Sequence, residues 1–145
     1  MRILIVTLTA LMLFATKPVV AGDFWDGVVA YNAGDYQKAL RLWKPVAEQG
    51  NARAQSMLGS MYANGNSVPK DHAKAVHWFT KAAKQGEEKA QYTLGVGYVK
   101  GEGVPENYVR GYAWVSIAAA QGYAEGKRNK GIIAKHMTPT QIAEA

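Results

Sequence analysis

The sequence predicts an all-α fold: a solenoid of stacked α-α hairpins, with a half-repeat at the N-terminal end and a capping repeat at the C-terminal end. The first observation is self-similarity. When Asp35 is laid on Asp71, an offset of 36 residues, the glycine-rich and Val-Pro segments align without a gap. The second is that apolar residues inside each unit recur at the spacing of a helix with one buried face. Together they indicate two full repeats and a degenerate third.

The first 21 residues are interpreted as a signal peptide. A positive charge at Arg2 precedes an apolar run in residues 3–15, and small residues lead to a cleavage site near Ala21. An uncleaved membrane anchor is the alternative, but a spanning helix needs about 20 apolar residues. The sequence therefore predicts a periplasmic or secreted protein without stable membrane insertion after cleavage.

The period sets the boundaries of the segments that follow. They are an N-terminal capping helix in residues 22–34, a first repeat in residues 35–70, a second in residues 71–106, and a degenerate C-terminal capping repeat in residues 107–145. The capping helix is a half-repeat that is joined to the first repeat by a shortened loop at Ala33 and Gly34. We expect it to cover the first hairpin.

The second repeat shows how each hairpin is built. Asp71 is a candidate N-cap, because its side chain can accept a hydrogen bond from the first turn, and Gly86 can adopt the positive φ that ends a helix. The helix between them has one apolar stripe, formed by Ala75, Val76, Phe79, Ala82 and Ala83. A second helix ends at Gly101, and Pro105 cannot continue it.

Large aromatic residues recur at repeat positions. They are Trp43, Trp78, Phe79 and Trp114. Because their positions follow the period, we expect them in the core between repeats, and an aromatic ligand cage is the less favoured alternative.

The segment "GEGVPEN", residues 101–107, invites a functional interpretation, either as a phosphate-binding loop or as a loop that presents Glu102 to a cation. The pattern also stands one repeat upstream, where Gly65 and Pro69 occupy the positions of Gly101 and Pro105. No Lys-Ser/Thr pair follows it, as a phosphate-binding P-loop requires. The segment is therefore predicted to be the turn between two hairpins.

The stretch "AVHWFTKAAKQGEEKAQYTLGVGYVKGEGVPE" resembles the SEL-like repeat family, an offshoot of the tetratricopeptide-like helical repeats. The resemblance covers residues 35–145, and the last unit is similar to the C-terminal version of small secreted bacterial members. In that unit Lys130 and Ala134 replace a leucine and a tyrosine, which we interpret as the outer face of a cap. The resemblance implies a non-enzymatic protein–protein interaction module or adaptor of the bacterial envelope, with a peptide or protein partner in its concave groove.

The candidate partner site consists of basic residues on the first helix of each hairpin, opposite the apolar stripe. They are Lys38, Arg41, Lys74, His77, Lys81 and Arg110. Since the first helices line the concave surface of stacked hairpins, these side chains are expected to form a basic groove. The alternative is a solvated face whose lysines serve solubility.

The resemblance also carries a second functional hypothesis. Some relatives have been linked to cell-wall or β-lactam chemistry, so the alternative function is a binder or hydrolase of cell-wall fragments or β-lactam-like molecules. Those relatives are cysteine-rich, whereas this chain has no cysteine. No pair of residues marks acid–base or nucleophilic catalysis, and the chain is not predicted to be an enzyme.

No metal, cofactor or nucleic-acid site is predicted. His72 and His77 are five residues apart on one helix, whereas ligands three or four apart face one ion. The formal net charge is +6, and it falls to +4 when the leader, with Arg2, Lys17 and no acid, is removed. So mild an excess predicts weak affinity for anionic envelope polymers rather than nucleic acid binding.

Overall fold

The computed structural model describes residues 21–145, which form eight α-helices and no strand. The helices are α1 (Ala21–Asn32), α2 (Tyr36–Glu48), α3 (Ala52–Asn64), α4 (His72–Lys84), α5 (Glu88–Lys100), α6 (Tyr108–Ala120), α7 (Ala124–Ala134) and α8 (Pro139–Glu144). The predicted all-α fold is confirmed. Apart from Ala21, the predicted signal peptide lies outside the described residues. In the described part, no helix has the length and apolar character needed to cross a membrane.

The helix boundaries follow from the capping residues. The side chain of Asp71 accepts a hydrogen bond from the backbone N–H of Lys74 at 2.9 Å, which confirms the predicted N-cap. Asp35, Asn51 and Asn107 cap α2, α3 and α6 in the same way. Gly101 ends α5 with a φ of 67°, in the left-handed region that favours glycine. Each side-chain cap stabilises its helix by about 1 kcal/mol.

Each helix packs against the next one in the chain, from α1 to α7. In addition, α5 contacts α7, and α6 contacts α8. This order of contacts is that of a solenoid in which odd-numbered and even-numbered helices form two rows. The loop between α1 and α2 has three residues, whereas the loops between α3 and α4 and between α5 and α6 have seven, so the loop that joins the capping helix to the first repeat is the shortened one.

Equivalent positions one repeat apart hold the centre of each core. They are Trp43, Phe79 and Val115, with 0 %, 4 % and 0 % of their surfaces exposed. A glycine of the preceding helix faces each of them: Gly27, Gly59 and Gly95. Trp78 and Trp114, by contrast, are only half-buried, and they pack on the edges of the cores nearest α2 and α4. The predicted aromatic core is therefore deeply buried at Trp43 and Phe79 only.

A network of glutamine side chains joins one repeat to the next. The buried Gln55 donates through Nε2 to the carbonyl oxygen of Ala47 at 3.0 Å, at the end of α2, and its Oε1 accepts from Gln85 Nε2 at 2.8 Å. The same two bonds recur 36 residues later among Gln91, Ala83 and Gln121. The carbonyl oxygens of Ala47 and Ala83 also accept from the backbone N–H groups of Gly50 and Gly86, so each glutamine adds a second hydrogen bond at the end of a helix. Lys127 stands at the next equivalent position, so the network ends at the last hairpin.

Replacing Gln91 with leucine is expected to lower the free energy of unfolding by about 1–2 kcal/mol, because the Gln121 amide then loses a buried partner. Urea unfolding followed by circular dichroism measures the change. The matched control is Gln49→Leu, since Gln49 occupies the position of Gln85 and Gln121 and is exposed as they are, but makes no side-chain hydrogen bond within the described residues. Equal losses in the two variants would mean that the network contributes nothing.

The helix that follows α7 is short. This helix, α8, has six residues, begins with a capping box at Thr138, and packs on α6 through Ile142. The ammonium group of Lys130 lies 5.4 Å from the centre of the Tyr112 ring of α6. Position 130 therefore faces α6, and the outer face of α7 is formed by other residues.

Candidate partner-binding surface

The six basic residues predicted as a partner site all lie on even-numbered helices. Lys38 and Arg41 are on α2, Lys74, His77 and Lys81 are on α4, and Arg110 is on α6. All six are exposed. Lys38, Lys74 and Arg110 occupy equivalent positions, as do Arg41 and His77, and equivalent positions of a regular solenoid point in the same direction. We call these six residues the basic surface.

Two cations of the basic surface lie over tyrosine rings of the preceding helix. Lys74 Nζ is 5.5 Å from the centre of the Tyr62 ring, and the Arg110 guanidinium is 5.8 Å from that of Tyr98. Lys74 also lies 3.7 Å from a carboxylate oxygen of Asp71. Such exposed contacts are worth about 0.5–1 kcal/mol each, so they orient the side chains without removing their charge from solvent.

Trp78 is the aromatic centre of the surface on α4. Lys81 Nζ lies 5.0 Å from the centre of its ring. The His77 ring meets it edge-on, with the ring centres 5.4 Å apart. Because Trp78 is half-buried, part of its ring is available beside the two basic groups. From the sequence, Trp78 is expected in the core between repeats, with an aromatic ligand cage as the less favoured alternative, and its contacts with His77 and Lys81 are not predicted. The i, i+3 spacing of Trp78 and Lys81 is the signal that could have indicated the pair.

A shallow depression of about 530 Å³ lies beside α2, at the edge of the basic surface. It is lined by Gln37, Leu40, Arg41, Lys44, Pro45, Glu48 and Ser67. Of the six predicted residues only Arg41 reaches it. Leu40 and Lys44, which the sequence analysis did not select, are one helical turn apart and add an apolar and a second basic side chain.

A smaller cavity of about 270 Å³ lies between α3, α4 and α5, apart from the basic surface. Its polar lining includes Lys70, His72 and Glu102, and its apolar lining includes Phe79 and Leu94. Among the residues that the structure describes, no group of three or more His, Asp or Glu side chains is placed to hold a metal ion.

The "GEGVPEN" segment joins α5 to α6 and is the predicted turn. The Glu102 carboxylate lies 4.0 Å from the ammonium group of Lys100, in an exposed ion pair. Its negative charge therefore has a partner in this chain and needs no bound cation to explain it. Gly103 has a φ of 77°, and a Cβ there would lie 2.3 Å from the backbone oxygen of His72. The glycines of this loop therefore allow the backbone to turn and to approach the start of α4 closely.

The fold shifts the pKa of Tyr123, which lies outside the basic surface. Burial raises the pKa of the Tyr123 phenol above its ordinary value of 10.0, and the neighbouring Glu125 raises it further. The Tyr123 ring packs on Tyr92 with a centre-to-centre distance of 5.2 Å. The neutral phenol is thus part of the packing between α5 and the loop that precedes α7.

The model of the Sel1 repeat matches three segments, residues 26–51, 52–87 and 88–123. These segments pair α1 with α2, α3 with α4 and α5 with α6, whereas the units proposed from the sequence begin one helix later. Both divisions follow the same period. No curated protein matches the chain in sequence.

Three of the solved structures that share this fold come from bacteria. A protective antigen of uropathogenic Escherichia coli with an SLR fold is 31% identical, with a TM-score of 0.81 over 84% of this chain. A Sel1 repeat protein of Oxalobacter formigenes is 34% identical, with a TM-score of 0.74 over 78% of this chain. The cysteine-rich protein B of Helicobacter pylori is 25% identical, with a TM-score of 0.61 over 63% of this chain. The matched regions make up 27%, 46% and 69% of those three chains.

Proposed function

Because the chain belongs to the Sel1 repeat family, whose fold implies a protein–protein interaction module, we propose that it is a non-enzymatic binding module or adaptor of the bacterial envelope. In this proposal the signal peptide is cleaved near Ala21, and the remaining chain works in the periplasm or outside the cell. Its partner is a peptide or a protein that binds along the row of α2, α4 and α6.

The observation that carries the proposal is the basic surface itself. Six exposed basic side chains lie on one row of helices, and four of them, Lys74, His77, Lys81 and Arg110, are oriented by aromatic contacts. Side chains that are ordered before binding lose less entropy on association. The surface therefore suits a partner segment that offers carboxylates at the charges and apolar side chains at Trp78 and at the depression beside α2.

The alternative function, a binder or hydrolase of cell-wall fragments or β-lactam-like molecules, is not favoured. The Helicobacter structure is named for its cysteines, and this chain has none. The basic side chains on α2, α4 and α6, with the aromatic rings beside them, lie on one row of helices. Such an arrangement suits a binding surface.

Charge reversal on the basic surface is expected to abolish partner capture while leaving the fold intact. The variant is Arg41→Glu with His77→Glu, and both side chains are exposed, so the thermal midpoint should be unchanged. The measurement is a pull-down from envelope extract with the unaltered chain and the variant as baits.

A second variant, Lys84→Glu with Lys89→Glu, controls for net charge, because both lysines are exposed and lie outside the basic surface. It should capture the same protein as the unaltered chain. If the Arg41/His77 variant captures that protein equally well, the partner does not bind on the basic surface.

A further inference from the structure

The cavity between α3, α4 and α5 has a buried apolar interior and a charged mouth. Ala75, Phe79 and Leu94 line the interior, with 3%, 4% and 1% of their surfaces exposed. Lys70 and Glu102 line the same cavity and are exposed, so their charged groups lie where it opens to solvent. A ligand that enters it therefore places an apolar part inside and a polar part at the mouth.

Gly97 leaves space in one wall of this cavity. It stands where the first repeat has Met61, which is 0% exposed, and where the last unit has Ile133, which is 6% exposed. The backbone does not require a glycine here, because Gly97 lies inside α5 and a Cβ would be at an ordinary 3.6 Å from the backbone oxygen of Glu102. The missing side chain is therefore a property of this repeat rather than of the fold.

Two residues of α4 enlarge the cavity in the same way. Each is smaller than the residues at the equivalent positions of α2 and α6, which pack on the first and third cores. Because protein interiors are normally close-packed, a space that small residues keep open in one repeat favours a bound ligand as its occupant. His72 stands at the position of Tyr36 and Tyr108, and Val76 at that of Leu40 and Tyr112.

The mouth of the cavity favours a negatively charged group. Lys70 forms no ion pair within residues 21–145, whereas the Glu102 carboxylate already lies 4.0 Å from the Lys100 ammonium group. The His72 ring also lines the cavity, and an imidazole can donate an N–H hydrogen bond. These two donors are complementary to a carboxylate.

The volume of the cavity limits the size of the ligand. At about 270 Å³ it exceeds the engineered cavity of about 150 Å³ that binds benzene, and it falls just below the range of about 300–1,000 Å³ for pockets that hold drug-sized molecules. It therefore admits one ring or branched chain with a short polar group, and not a longer peptide segment.

We propose that this cavity binds a small free carboxylic acid with an aromatic or branched apolar body. The body packs against Phe79 and Leu94 and fills the space beside Gly97, and the carboxylate faces Lys70 and His72. None of these residues belongs to the basic surface. The site is therefore independent of the peptide or protein partner proposed for α2, α4 and α6.

The test is an NMR titration of the isotope-labelled chain, expressed with its own leader and purified in the form that the cell processes. Phenylpropionate is the probe, since it joins one ring to a carboxylate by a short chain. We expect saturable shifts of the backbone amides of Val76, Leu94 and Gly97, with a Kd of about 1 mM or tighter. Propionate, which lacks the ring, should not saturate.

Gly97→Met tests whether the cavity is the binding site. It restores the residue that the first repeat has at this position, so the side chain should fill the cavity, abolish binding and raise the thermal midpoint. The matched control is Gly131→Met, because position 131 is one repeat later on α7 and a Cβ there meets no atom within 4 Å. This control should bind phenylpropionate like the unaltered chain.

Lys70→Gln tests the charged mouth without changing the packing, since Lys70 is exposed. It should weaken the binding of phenylpropionate by about threefold to fivefold, the effect of one exposed ion pair. Phenylpropanamide has the same shape without the charge, and its binding should not change. Lys84→Gln is the control, because Lys84 is exposed and does not line the cavity.

Several outcomes would overturn the proposal. They are no saturable binding of phenylpropionate to the unaltered chain, undiminished binding to a Gly97→Met chain whose helices are intact by circular dichroism, and equal affinities for phenylpropionate and phenylpropanamide. Tighter binding of a tripeptide that ends in phenylalanine would also overturn it, because the cavity would then take a peptide end. None of these outcomes depends on Arg41 and His77, which test the proposed function.

Discussion

Replacing Trp43 with alanine is expected to lower the free energy of unfolding by about 3–5 kcal/mol. The indole is fully buried, its Nε1–H donates to the carbonyl oxygen of Phe24 at 3.0 Å, and its ring lies 5.5 Å from that of Tyr31. Gly27 leaves room for the ring on α1. Alanine would therefore leave a large cavity and remove the donor that joins α2 to α1.

Urea unfolding followed by circular dichroism measures this loss. The control is Trp25→Ala, which removes the same side chain from a position that is 59% exposed and should change stability by less than about 1 kcal/mol. Since a domain of this size is stable by about 5–15 kcal/mol, the expected loss is a large fraction of its total stability. Similar losses in the two variants would mean that Trp43 is not the centre of the first core.

Replacing Gly95 with leucine is expected to destabilise the chain by about 3 kcal/mol, because α5 and α6 cross there almost in backbone contact. A Cβ at this position would lie 2.8 Å from the backbone oxygen of Gly111 and 3.0 Å from the backbone nitrogen of Val115. Since two of the contacts are backbone atoms of α6, a change of rotamer cannot relieve the overlap. The helices must separate.

The matched control for Gly95 is Gly131→Leu, one repeat later on α7. A Cβ there meets no atom within 4 Å, and leucine has a higher helix propensity than glycine, so the expected change is a gain of up to about 1 kcal/mol. Both variants are measured by urea unfolding at dilute protein concentration. Opposite signs support the close crossing of α5 and α6, and a neutral Gly95 variant would rule it out.

The sequence predicts the fold because its strongest signals are local. Asp71 caps a helix through an amide three residues away, and Gly101 ends one through its own backbone conformation. Both are readable in a short window, and the 36-residue period repeats them. Each hairpin is therefore specified by residues within one unit.

The parts that the sequence did not predict depend on contacts between units. Gln85 donates to Gln55 across 30 residues, and amide side chains are common enough that no pattern singles out this pair. Within the last unit, Lys130 was expected on the outer face of the cap, whereas it lies over Tyr112 of the preceding helix, α6. A substitution pattern shows that a position has changed, but only the packing shows which neighbour it faces.

The basic surface was predicted from the sequence only in part. Its six residues were selected from one face of each first helix, and the period explains why they recur. The tyrosines that hold Lys74 and Arg110 belong to the preceding helix, so helix periodicity within one segment does not indicate them. The depression beside α2 also includes Ser67 from the loop that follows α3, which only the fold brings there.

The most direct test of the proposed function is photo-crosslinking in living cells from single positions of the chain. A photoreactive amino acid replaces Arg41 or His77 on the basic surface, or Lys89 on α5 as the exposed control. The proposal predicts that one envelope protein is crosslinked from positions 41 and 77 and not from position 89. Crosslinking of a partner from position 89 alone, or from none of the three, would contradict it.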